Sequence, residues 1–256
     1  MSTAPSQSQR DSADAPVVLA IETTQRRGGV AVQDAAGRRH IELFPEARRH
    51  DDRLMPAIAE LFARAELAPP DLAGVAVSIG PGGFSGLRIA VATARTLALS
   101  TPTWLVGVAS AEVVAAGTPG LPASGRILVA LGSKGERAWV ETLQRSGPTT
   151  PWRRDAAVAR RGTASDFDVA SADALVGDDH LPPAMRDAAT AAGRPVVPPV
   201  FDPAACLDAG LAQFADVGPT PPAELLPIYP GPPEAVAIWN ERHGGDPSSD
   251  TPVPAR

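Results

Sequence analysis

Apolar residues fall in short runs near the start of the chain. Val17-Val18-Leu19-Ala20-Ile21 is a continuous apolar run of the buried-strand type. Gly28-Gly29 permits a turn into Val30-Ala31-Val32, and His40-Ile41-Glu42-Leu43 alternates after a second turn at Ala36-Gly37. Three short strands joined by tight turns predict an antiparallel meander. The period then changes. Leu54, Ile58, Leu61 and Ala65 form one helical stripe, starting near Asp51-Asp52 and stopping at Pro69-Pro70, with Pro56 tolerable only in the first turn. Val75, Val77 and Ile79 alternate as a strand, 87–99 reads as a second helix, 104–108 as a strand, and a short helix starts at Ser110.

This order predicts an α/β fold with a mixed sheet. A second lobe is expected to begin near 113–125, with strands at 127–131 and 138–143, a Pro-, Arg- and Asp-rich middle of weak periodicity, a strand at Val196-Val197 and a helix over 204–215. The expected organisation is a disordered tail at 1–16, an N-terminal lobe at 17–112, a C-terminal lobe at 113–218 and a Pro-rich segment at 219–256. That segment has disorder composition after His243.

Composition narrows the function classes. With 44% hydrophobic residues the chain can bury a sizeable core. Its 23 basic and 29 acidic residues leave a net charge of −6, which argues against nucleic-acid binding by this chain alone. One cysteine, Cys206, excludes an internal disulfide and a Cys-rich zinc site. With no signal-peptide pattern and no apolar run of membrane-spanning length, the expected location is cytoplasmic. Lys134 is the single lysine, a bias that points to base composition rather than to function.

The strongest chemical signal is Ile79-Gly80-Pro81-Gly82-Gly83-Phe84-Ser85-Gly86-Leu87-Arg88-Ile89, between a strand and a helix. Glycines allow close backbone approach, and a helix N-terminus offers free N–H groups to an anion. Gly80, Gly82, Gly83, Ser85 and Gly86 are therefore candidates for an anion or nucleotide loop. The alternative is a tight turn that only positions the helix. The run is no Walker A loop, since Leu87-Arg88 stands where Lys-Ser/Thr is needed, and it misses the nucleophile elbow by one position.

Small residues Ala90, Ala94 and Ala98 recur at four-residue spacing in the helix that follows, with Arg88 and Arg95 seven apart. A core face rarely carries two arginines, so a partly exposed or interface helix is expected. His40, His50, His180 and His243 give no i, i+4 pair, so no metal site is expected. Glu22 ends the first strand ahead of Thr23-Thr24. It is a candidate phosphate-handling acid with Asp51 and Asp52 or, equally, a strand end bonding to its own turn.

Together, Ala20-Ile21-Glu22-Thr23-Thr24, the stretch from His50 to Pro56, the stretch from Gly80 to Ala90, and Gly107-Val108-Ala109-Ser110 resemble the TsaB (YeaZ) family. The resemblance covers about 17–112, fades to about 220, and resumes at Leu226-Pro227-Ile228-Tyr229-Pro230. It implies an actin/Hsp70/sugar-kinase-like fold of two related lobes. It implies a non-catalytic subunit in the synthesis of N6-threonylcarbamoyladenosine at position 37 of tRNAs reading codons that begin with A. The implied partners are a catalytic TsaD paralogue and a TsaE-type P-loop ATPase, with tRNA reached through the complex, no cofactor on this chain, and ATP and metal on the partner subunits. The stretches matching the family's dimerisation helices are 53–66 and 87–99, so Leu54, Ile58, Leu61, Arg88, Val91, Ala94, Arg95 and Ala98 are the expected partner face. The paralogue's helical His-x-x-x-His is absent, Leu54 standing four after His50. Glu22, Gly83 and Ser85 replace the family's usual Asp, Ser and Thr, and Leu131-Gly132-Ser133-Lys134 replaces an Ile-Asp-Ala-Arg type turn. The competing readings are an independent phosphotransferase or metallopeptidase-like enzyme of the same fold, and a homodimer using the same helices.

Overall fold

The computed structural model describes residues 15–25, 27–44 and 50–230, with the side chains of 50–52, 133–134 and 156–158 left undescribed. The expected tail at 1–16 and the segment after 230 lie almost wholly outside these residues.

The first sheet contains β1 (Val18–Glu22), β2 (Gly29–Gln33), β3 (Arg39–Leu43), β4 (Gly74–Gly80) and β5 (Trp104–Ala109). Its order is β3-β2-β1-β4-β5, antiparallel through the meander and parallel across β1, β4 and β5. The second sheet contains β6 (Gly125–Lys134), β7 (Arg137–Arg145), β8 (Arg153–Gly162), β9 (Ala174–Gly177) and β10 (Val196–Val197). Read from its other edge the order is β8-β7-β6-β9-β10, again a meander followed by two parallel strands. The two halves repeat one topology.

Strand alternation gives the first sheet two buried faces. Leu19, Ile21, Val30, Val32, Val75 and Val77 pack under α1 (His50–Arg64) and α2 (Phe84–Ser100). Val18, Ala20, Ala31, Ala76 and Val106 pack under α5 (Pro203–Val217). Gly210 lets α5 approach closely, since a Cβ there would lie 2.3 Å from the Ala76 Cβ. This corrects the expected lobe boundary: α5 follows the second sheet in sequence but seals the first. In the second half, α3 (Ser110–Gly117) covers one sheet face through Ala111, Val114 and Ala115, and α4 (Pro183–Ala191) covers the other through Met185 and Ala189.

A second correction concerns α1, which begins at His50, so Pro56 lies inside it rather than in its first turn. Pro56 sits on the exposed side, where water can satisfy the carbonyl that its missing N–H leaves free. The expected strands at 127–131 and 138–143 are present within longer ones, and β8, β9 and α4 fill the stretch that showed weak periodicity.

Candidate partner face and glycine loop

The apolar stripe of α1 and α2 turns inward. Leu54, Ile58, Leu61, Val91 and Ala94 are buried in the core between the helices and the first sheet, and Ala98 packs partly against it. These residues were expected to meet a partner. They are corrected to core positions, because a stripe of period 3.6 marks what is buried without saying against what. Arg88 is exposed and Arg95 half-buried, as a polar edge requires. The outward residues are instead Met55, Ala59 and Ala63 on α1, and Arg88, Ala92, Thr96 and Leu99 on α2. Leu99 is 75% exposed. α2 carries two arginines and no carboxylate along its whole length.

The glycine loop is packed against the protein's own chain. A Cβ on Gly82 would lie 2.5 Å from the Thr24 Cβ, and one on Gly80 (φ 107°) would lie 2.7 Å from the Ile228 carbonyl. The Gly83 N–H donates to the Thr24 carbonyl at 2.7 Å, and the Thr23 hydroxyl donates to the Gly86 carbonyl at 2.9 Å. The end of β1 thus grips the first turn of α2 from both sides. Gly83 stands at the N-cap with no side-chain cap, and Ser85 is exposed. Of the two sequence readings, the tight positioning turn accounts for these contacts. The free N–H groups of the first turn are the part an anion could still use.

Glu22 is fully buried. Its Oε1 accepts from the backbone N–H of Thr24 at 2.7 Å and from the Thr24 hydroxyl. Its Oε2 has no partner of good geometry among the described residues, with Ser78 as its neighbour. Burial pushes this carboxyl up, against hydrogen bonds from Thr24 and Ser78. Cys206 of α5 lies beside it, its thiol pushed up by burial and by Glu22, and donates to the Ile21 carbonyl at 3.7 Å. The side chains of Asp51 and Asp52 fall outside the described residues. Among the described residues no group of three or more His, Cys, Asp or Glu could hold a metal, and no helix is long and apolar enough to cross a membrane.

The segment after α5 is a further part of this site. The Thr220 N–H donates to the Leu105 carbonyl and the Ile228 N–H to the Ile79 carbonyl, so the segment runs as a strap over the ends of β4 and β5. The strap brings Tyr229 to 5.2 Å from the ring of Phe84, and the Arg88 guanidinium lies 5.1 Å from that ring on α2. Pro230 and Pro81 both meet Gly132 of the second half, whose φ of 59° suits glycine at the Leu131–Lys134 turn. Sequence reasoning flagged the Pro-x-Tyr segment only by resemblance; nothing in its spacing says where it docks.

A family model described as TsaD, tRNA N6-adenosine threonylcarbamoyltransferase, matches residues 21–144. The TsaB protein of tRNA threonylcarbamoyladenosine biosynthesis from Escherichia coli (strain K12) is 31% identical over 126 residues, covering 48% of this chain and 54% of the relative. The corresponding Bacillus subtilis (strain 168) protein is 36% identical over 101 residues, covering 39% and 43%. YeaZ from Pseudomonas aeruginosa superposes with a TM-score of 0.67 at 18% identity, over 84% of this chain and all of that one. Over its first half the chain is thus similar to TsaB proteins, and over most of its length it shares the fold of YeaZ. Its fold is that of YeaZ, with one sheet topology repeated in the two halves, as expected of the actin/Hsp70/sugar-kinase type. The chain spans about half the length of the curated TsaB relatives it matches.

Proposed function

We propose that this chain is a non-catalytic subunit that supports formation of N6-threonylcarbamoyladenosine on tRNA by binding a TsaD-type catalytic paralogue. The observation that carries the reading is the outward face of α2. Arg88, Ala92, Thr96 and Leu99 stand exposed on a helix with no carboxylate, and Met55 of α1 is exposed as well. That face suits a partner helix presenting small apolar residues rimmed by acids. The packing of Gly82 on Thr24 and of Gly80 on Ile228 adds support, since it accounts for these two glycines by the protein's own backbone. In this reading ATP and metal act on the partner subunits, a TsaE-type ATPase joins the complex, tRNA is met through the assembly, and the free chain pairs with itself through the same face.

Depletion in the host, followed by mass spectrometry of bulk tRNA, tests the role. The modified nucleoside is expected to collapse and to return with the wild-type chain. Full retention overturns the reading. Capture of the TsaD-type paralogue by the tagged chain tests the partner separately, and no capture at micromolar concentration overturns that half.

A further inference from the structure

We propose that residues 233–243 of this chain dock along the outward face of α2 and compete there with any other chain. These residues follow the strap and lie outside the described ones. Their sequence predicts a helix. Pro232-Pro233 and Glu234 are start signals, Arg242 and His243 suit a last turn, and Gly244-Gly245 is a stop. On such a helix Glu234, Ile238 and Glu241 fall at i, i+4 and i+7, with Ala235 and Trp239 on the flank.

The outward face of α2 carries the same spacing with the opposite charge. Arg88, Ala92 and Arg95 also fall at i, i+4 and i+7. Among the described residues neither arginine is in an ion pair; the contact of Arg88 is the Phe84 ring. Setting Glu234 beside Arg88 and Glu241 beside Arg95 puts Ile238 over Ala92, whose small side chain leaves room for it. α2 has no carboxylate to repel the two glutamates.

The end of the strap sets the direction. Tyr229 lies 5.2 Å from the ring of Phe84, the first residue of α2. Glu234 follows Tyr229 by five residues, and Arg88 follows Phe84 by four. The segment therefore starts beside its first partner and runs parallel to α2. Eleven helical residues span about 16 Å, against about 22 Å from Phe84 to Leu99, so most of the face is covered. A tether this short holds the segment at an effective concentration of about millimolar, which favours it over a separate chain at micromolar concentration. Exclusion of the paralogue rests on the function proposed above; the docking does not.

The test follows the Trp239 indole N–H of the full chain by heteronuclear Overhauser effects, its signal assigned by its loss in Trp239→Phe. In the wild type this indole is expected to be as rigid as that of the buried Trp152, and to stay so on tenfold dilution. Glu234→Arg with Glu241→Arg is expected to release it, and adding Arg88→Glu with Arg95→Glu to restore it. A mobile Trp239 indole in the wild type overturns the proposal. So does rigidity lost on dilution, which means a second copy, or rigidity that survives the charge reversal, which puts the segment elsewhere. Capture of the TsaD-type paralogue is the separate arm. The Glu234→Arg, Glu241→Arg chain is expected to bind it at least tenfold more tightly, because the face is then open. Unchanged capture with the Trp239 results intact overturns the competition and takes the paralogue off this face, while the docking stands.

Discussion

Leu225 occupies the space that a side chain on Gly107 would need: a Cβ there would lie 2.6 Å from the Leu225 Cδ1. This contact adds to the Thr220–Leu105 hydrogen bond in holding the strap to β5, and the strap carries Tyr229 to Phe84. Leu225→Ala is expected to cost about 2–5 kcal/mol of stability, as other buried leucine truncations do. Gly107→Val is expected to destabilise through the same contact. Urea denaturation of both single variants and the double variant checks this. The double variant is expected to lose less than the sum of the singles, since both remove one interaction; full additivity would mean the strap is held elsewhere.

Glu22 gives a pH signature. Burial raises its carboxyl above the ordinary value, so the folded state holds a proton that the unfolded state releases. The contribution is therefore complete at acid pH and is lost as pH rises from about 4.5 through the folded value. Glu22→Gln, which keeps both an acceptor for Thr24 and a donor toward Ser78, is expected to remove this loss and to gain on the wild type toward pH 8. Stability curves at pH 5 and 8 decide it. An unchanged pH slope in the variant would assign the slope to Glu112 and Glu141, whose carboxyls burial also raises.

Asp34 behaves in the opposite sense. Desolvation pushes its carboxyl up, but hydrogen bonds from His40 and Arg38 outweigh it and hold the group at about 2. Its contribution is present above the ordinary value of 3.8 and is lost as pH falls toward 2. Asp34→Asn is expected to flatten the acid limb of the stability curve over that window, measured by circular dichroism.

The partner face yields a paired test. Leu99→Glu and Arg88→Glu alter exposed positions and are expected to keep the wild-type melting temperature while weakening capture of the paralogue at least tenfold. Ala94→Glu is expected to unfold the protein instead, because Ala94 is buried against the first sheet. Calorimetry and co-purification on the three variants separate surface from core. Undiminished capture by both exposed-face variants would move the interface off α2.

Much of this was legible in the residues. The run at 17–21 became β1, and the stripe from Leu54 to Ala65 became the inner face of α1. The helix expected at 204–215 became α5, shifted by two residues or fewer at each end. What failed did so for physical reasons. β8 is an edge strand with arginines near both ends, and its apolar stretch of three alanines and one valine shows no alternation. β9 has four residues, too few to carry a period. The small-residue spacing of Ala90, Ala94 and Ala98 leaves core and partner both open, because it is the same for a helix packing on its own sheet as for one packing on another chain, and burial of Ala90 and Ala94 shows the former. The strap was missed because Pro-rich composition describes local stiffness, while its hold comes from Leu105 and Ile79, distant in sequence.

The return of α5 to the first sheet sets a timetable for synthesis. β5 ends at Ala109 and α5 begins at Pro203. At about 5–20 residues per second, the intervening stretch keeps one apolar sheet face uncovered for roughly five to twenty seconds after its strands leave the ribosome. Val18, Ala20, Ala31, Ala76 and Val106 are the residues exposed in that interval. A chain halted before residue 203 keeps them open indefinitely. Fragments cut at the apparent boundary between the halves are therefore expected to leave this face uncovered and to be less soluble than the full chain.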